Sequence, residues 1–215
     1  MIGSESAERG RFLAQLAAFI ALAVGSLAFA GWLFDIDSLT NIAPQWPRMS
    51  KLTALGFVLA GVTLWLASSN LRQATSICAM LVAAIGATIM LRNFGGWDIH
   101  LEQLSTGPLP HATDGIGAVR MSPATAFSLT LLGLSLWCST RRGLALLHQG
   151  LAIAVLLVGW LGLSRYVLGA DQVFAFANMA LHTAMLLCLL AVGALTLRPE
   201  AGVAELLASN FIGGA

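Results

Sequence analysis

The stretch MSPATAFSLTLLGLSLWCST, Met121 to Thr140, decides the fold class of this chain. From Ser122 to Ser139 it holds no charged residue. Its polar positions are mostly Ser and Thr, whose hydroxyls can bond back to the helix that carries them. A bilayer crossing needs roughly 20 predominantly apolar residues in a helix, and this stretch approaches that length. Outward from it, only Thr140–Gly143 intervenes before a second uncharged stretch over 144–164. Hydropathy marks four more, so six spans are expected at about 12–34, 50–69, 74–91, 122–139, 144–164 and 179–197. Residues 1–11 and 198–215 flank this membrane domain, 12–197.

Composition points the same way. The chain is 58% hydrophobic and 10% charged, where a soluble domain carries about 25% charged residues. The expected fold is all-α: an integral membrane bundle. The net charge of +1, with Lys51 the only lysine and no basic run, excludes the phosphate-neutralising surface of a nucleic-acid binder. Cys78, Cys138 and Cys188 each sit alone in an apolar stretch, which fits small packing residues better than disulfides or zinc ligands. Arg9 and Arg11 ahead of an apolar run that contains Ala28-Phe29-Ala30 give a signal-peptide outline. The run continues through Trp32-Leu33-Phe34, so it reads as a retained helix.

The opening of the Met121 stretch recurs. Met49-Ser-Lys-Leu-Thr53-Ala54, Met121-Ser-Pro-Ala-Thr125-Ala126 and Met179-Ala-Leu-His-Thr183-Ala184 share Met, then Thr-Ala at the fifth and sixth positions. Gly61 and Gly133 both lie twelve residues after their Met. The ends of the odd spans repeat too: Arg92…Gly96-x-Asp98 and Arg165…Gly169-x-Asp171 have one spacing, while the first unit keeps Asp37 and has Gly31 at the arginine position. Three helical-hairpin repeats are therefore expected, each with an acidic loop. In lipid the small residues at these positions let backbones approach closely.

Connectors after spans 2 and 4, Asn70–Gln73 and Thr140–Gly143, are short, so those loops and both termini share one side. That side holds Arg9, Arg11, Arg72, Arg141, Arg142 and Arg198; the other holds Arg48, Lys51, Arg92, Arg120 and Arg165. The tight Arg141-Arg142 turn orients both termini to the cytoplasm. Most tryptophans, with Tyr166, fall near the expected interfaces, as aromatic belts do.

Three segments carry a family resemblance: GGWDIHLEQLSTG (95–107), RMSPATAFSLTLLGLSLW (120–137) and MALHTAMLLCLLAVGALTLRPEAG (179–202). Over roughly residues 12–209 the chain resembles the N-terminal multi-helix membrane module of bacterial sensor proteins, which precedes PAS domains and a histidine kinase or diguanylate cyclase output. The resemblance implies a sensory role in signal transduction at a bacterial inner membrane. No PAS, kinase or cyclase motif follows in this sequence. The tail AELLASNFIGGA reads either as the entry to a further segment or as the end of a stand-alone relative.

Chemistry-bearing residues are few. No GxSxG, HExxH, CxxC or phosphate-loop pattern occurs, so no enzyme is expected. His100, His111, His148 and His182 raise haem or metal binding, but no HxxxH or HxH spacing supports it, and His148 and His182 belong at opposite membrane faces. No cofactor is expected. The candidate site is an outer polar crown of Asp37, Arg92, Asp98, Arg165, Asp171 and His182, either a ring of ion pairs or the floor of a small-ligand pocket. The sequence reads as a non-enzymatic sensory or scaffold module, partnered by lipid and by copies of itself or other membrane subunits. The alternative is a small transporter or an accessory subunit of a larger complex.

Overall fold

The computed structural model describes residues 2–40, 47–95, 121–141, 143–168 and 179–198. Among these the chain is helical without strands: α1 (Ile2–Leu33), α2 (Asp37–Thr40), α3 (Lys51–Ser68), α4 (Arg72–Gly95), α5 (Pro123–Ser139), α6 (Ala145–Leu168) and α7 (Leu181–Leu195). Four segments are long and apolar enough to cross a membrane: Glu8–Leu33, Lys51–Ser68, Arg72–Asn93 and Ala145–Val167. The helices α5 and α7, 17 and 15 residues long, fall short of that length. At 1.5 Å per residue they reach about 25 and 22 Å.

The shortfall against the expected spans 122–139 and 179–197 has a local cause. Met121-Ser122 and Met179-Ala180 stay extended, and the helices begin only after them. Elsewhere helices run longer than hydropathy marks. The first starts at Ile2 rather than near residue 12, and α4 and α6 continue to Gly95 and Leu168. The single turn α2 has no hydropathy signal at all.

The six long helices close into a ring in which α1 packs on α3, α4 on α5 and α6 on α7. The seams α3–α4, α5–α6 and α7–α1 complete the ring, and α3, α5 and α7 also touch one another across the centre. Apolar side chains fill that centre. Phe57, Leu129 and Leu187, each eight residues after its Met, are fully buried, and so are Ala60, Leu132 and Leu190 three residues further on. Where the surrounding solvent is hydrocarbon, such packing stabilises by close contact rather than by expelling water.

Close contact is what the glycines permit. A Cβ on Gly25 would lie 3.1 Å from the Ala54 carbonyl oxygen, and one on Gly159 would lie 3.2 Å from that of Ala184. A Cβ on Gly86 would strike the carbonyl oxygen of Ala126. These three alanines are those of the Thr-Ala pairs, so one backbone contact recurs in the helix pairs α1–α3, α4–α5 and α6–α7. From the other side, Gly61 approaches the Ala18 carbonyl and Gly133 that of Ala79, at 2.9 and 2.6 Å from an added Cβ.

Candidate functional site at the two ends of the bundle

At one end of the ring, the loop end, α1, α4 and α6 finish and α3, α5 and α7 begin; the other carries the N-terminal part of α1, the two tight turns and the end of α7. At the loop end, α3 and α5 open on the same cap. Ser50 Oγ accepts from Thr53 N at 3.2 Å and lies 2.7 Å from Thr53 Oγ1. Ser122 repeats this with Thr125 at 3.2 and 2.8 Å. The third helix has the same extended backbone at Ala180 (φ −68°, ψ 148°) but no side-chain cap. Met49, Met121 and Met179 are buried at these entries.

An aromatic donor from the preceding helix holds two of the entries. Trp32 Nε1 donates to Met49 O at 2.8 Å, and Tyr166 OH donates to Met179 O at 2.5 Å. Both stand seven residues after the contact glycines Gly25 and Gly159. A cation lies against each ring: Lys51 Nζ is 5.2 Å from the Trp32 centroid and the Arg165 guanidinium 5.5 Å from that of Tyr166. A cation–π contact at an accessible site contributes about 0.5–1 kcal/mol.

The expected crown is only partly in view. Arg92 and Arg165 occupy the last turns of α4 and α6, both half-buried. Asp98 and Asp171, with His100 and His111, lie outside the described residues; Asp37 begins α2, but its side chain is likewise outside them. The Arg–Asp pairing therefore falls beyond what the structure describes. Gly31, at the arginine position of the first unit, has a packing reason: a Cβ there would lie 2.7 Å from Leu39 Cβ and 2.9 Å from Thr40 Cγ2. In this unit α2 folds back over the helix end, so no side chain fits. His182 sits in the first turn of α7 with its Nε2 buried and, among the described residues, without a hydrogen-bond partner.

The tight-turn end holds a side-chain cluster that hydropathy does not reveal. After α3, Asn70 takes a left-handed backbone (φ 58°), with Leu71 N bonded to Leu66 O and Asn70 N to Ala67 O, a Schellman closure. Below the second turn His148 is fully buried. Its Nδ1 lies 2.9 Å from both Ser135 Oγ and Ser135 O, and its Nε2 lies 3.0 Å from Ala194 O. Ser135 Oγ also lies 2.9 Å from His148 O. One imidazole thus joins α5, α6 and α7. Beside it, Gln149 Nε2 donates to Arg198 O at 3.2 Å. Asn70, Arg72, Thr75, Ser139, Thr140 and Arg198 line a small cleft of about 60 Å³ at this end.

His148 and His182 do lie at opposite ends. Ala194, which His148 touches, is twelve residues beyond His182 on α7, about 18 Å along the axis. From the sequence, His148 is a candidate only as a haem or metal ligand. The signal that could have found it is the short turn, which brings Ser135 and a histidine thirteen residues later face to face.

Among the described residues no three His, Cys, Asp or Glu side chains group as a metal site would require. The three cysteines are free thiols. No protein-family model, curated protein or solved structure matches the chain.

Proposed function

We propose that this chain is a six-span module of three helical-hairpin units in a bacterial inner membrane. In this reading both termini are cytoplasmic, and the module serves as a non-enzymatic sensory or scaffold input to signalling. The observation that carries the reading is the apolar axis. Phe57, Leu129, Leu187 and their neighbours fill the space between α3, α5 and α7, where a carrier would place polar groups for its substrate near the membrane midplane. The glycine contact that recurs in all three hairpins supports the three-unit description. Six spans remain compatible with the short α5 and α7, because irregular backbone at membrane depth is tolerated where protein buries it. Met121, Ser122, Met179 and Ala180 are all buried. The sensory role rests on the resemblance of residues 12–209 to sensor input modules.

Reporter fusions at Asn70, Thr140 and the C-terminus should all report cytoplasm, and fusions within 100–118 the opposite side. An inverted C-terminal result would remove the six-span arrangement. For the role, a PAS, kinase or cyclase segment following this one in the native gene is the expected finding. Purification as a stoichiometric part of a larger membrane complex, or with a bound cofactor, would overturn it in favour of an accessory subunit.

A further inference from the structure

We propose that the cleft at the tight-turn end binds a small phosphate-type oxyanion between Arg72 and Arg198. The site rests neither on the sensory reading nor on which side of the membrane this end faces. The cleft, of about 60 Å³, is lined from all three inner helices and from the start of α4. Ala67 and Ser139 come from the last turns of α3 and α5, Leu197 follows α7, and Arg72 and Thr75 lie in the first turn of α4. One turn further in, Leu64, Leu136 and Ala194 are fully buried. That apolar layer closes the cleft from below. A ligand therefore enters from the membrane surface, and an acyl chain has no path down the axis.

Two cations share this space, and among the described residues no carboxylate lines it. Like charges at one small site repel each other unless an anion lies between them. Three helix C-termini also meet here, where arginine commonly caps the last carbonyls. Those carbonyls already have donors. Ser139 Oγ donates to Leu136 O at 2.6 Å and Thr140 Oγ1 to Trp137 O at 2.7 Å. Asn70 N and Leu197 N donate to Ala67 O and Ala194 O, each at 3.2 Å. Arg198 Nη1 donates to Arg141 O at 3.4 Å, one long bond from a guanidinium that can donate several. The Arg72 guanidinium has no hydrogen bond or ion pair among the described residues. The Thr75, Ser139 and Thr140 hydroxyls give their protons to their own helices. The donors that remain are two planar guanidiniums and the Asn70 amide, and a guanidinium matches two oxygens of a phosphate at once. The first turn of α4 carries no acidic residue, so its positive end adds to the attraction.

Register shows why the site occurs once. Fourteen residues before Gly25, Gly86 and Gly159 stand Arg11, Arg72 and Ala145, and three residues further on stand Ala14, Thr75 and His148. On α6 the imidazole spans from α5 to α7. On α1, Ala14 is packed against Gly193. Of the three, α4 alone joins a cation to a short side chain that bonds within its own helix, and room for a ligand remains beside it.

The test uses the full chain in phosphatidylcholine nanodiscs, in phosphate-free buffer held at constant ionic strength. Inorganic phosphate should bind saturably by titration calorimetry. At about ten times its half-saturating concentration it should raise the melting temperature by about 3 °C or more. Arg72→Gln and Arg198→Gln should each abolish both responses. Arg11→Gln, at the matching position on α1 and outside the cleft, should keep them. Without phosphate, Arg72→Gln should melt like the native chain; a clear loss would assign the guanidinium to the fold and overturn the site. A parallel arm exchanges part of the phosphatidylcholine for phosphatidylglycerol and adds no free phosphate. Arg72-dependent stabilisation in that arm alone would assign the site to a lipid headgroup phosphate, and in the first arm to a free anion. No response in either arm, or one that either cleft variant leaves intact, would overturn the site.

Discussion

At the loop end, the three inner helices begin alike, with buried Met, an extended second residue and a Thr in the first turn. At the tight-turn end the same helices stop in different ways. One closes on the left-handed Asn70, one runs into a turn with Gly143 at φ +96°, and one is held from outside by His148. The difference separates local from distant bonding. A serine cap acts over three residues, so a repeated hexapeptide produces a repeated entry. The bond from His148 to Ala194 spans 46 residues and exists only because two helices happen to end side by side.

The strongest way to break the comparison is at the close contact beneath both ends that two of the helix pairs share, Gly61 on Ala18 and Gly133 on Ala79. Gly133→Leu would place side-chain atoms where Ala83 N is 2.5 Å and Ala79 O 2.6 Å from a Cβ, and both are backbone. Overpacking of this kind costs about 3 kcal/mol or more, so loss of the folded protein in detergent is expected. Gly150→Ala, with nothing within 4 Å of the added carbon, should leave the melting temperature unchanged. If Gly133→Leu melts like the native chain, the seam is not close-packed.

A smaller effect sharpens the difference among the entries. Ser122→Ala should destabilise by about 1 kcal/mol through loss of the cap on Thr125 N. Ala180→Ser should do the reverse, gaining about 1 kcal/mol by supplying the cap that α7 lacks, with Thr183 already placed to share it. Equal and opposite shifts in thermal unfolding would show that the three entries are one structure. Destabilisation by Ala180→Ser would show that the third entry has diverged in shape as well as in side chain.

The smallest expected effect concerns the aromatic donors. Tyr166→Phe and Trp32→Phe each remove a hydrogen bond to a Met carbonyl while keeping a ring, and helix-to-helix bonds in membranes average about 0.6 kcal/mol. A matched loss of that size in both variants is expected by thermal shift. A loss confined to one would mean that the two donors are not equivalent.

Much of the loop end was legible in the residues. The Met…Thr-Ala register, the arginines in the last turns of α4 and α6, and Gly31 in place of the first arginine are all periodic features of one chain. The glycines Gly25, Gly86 and Gly159 are equally periodic, each six residues before Gly31, Arg92 or Arg165, yet hydropathy does not weight a glycine and leaves them unmarked. Hydropathy starts these spans at about 122 and 179 and the helices start at Pro123 and Leu181, because hydropathy scores an extended Met-Ser or Met-Ala and a helical one alike.

Composition and periodicity by themselves determined that this chain is helical and apolar enough to enter a membrane, because burial in lipid is a property of each segment separately. They also set the register in which helices pair, because small residues and caps act through near neighbours. Only the tertiary structure decided that α3, α5 and α7 form the inner triangle and that His148 stands among three helices. Those facts depend on how helices distant in sequence are brought together, and no local pattern encodes which carbonyl a buried imidazole will meet.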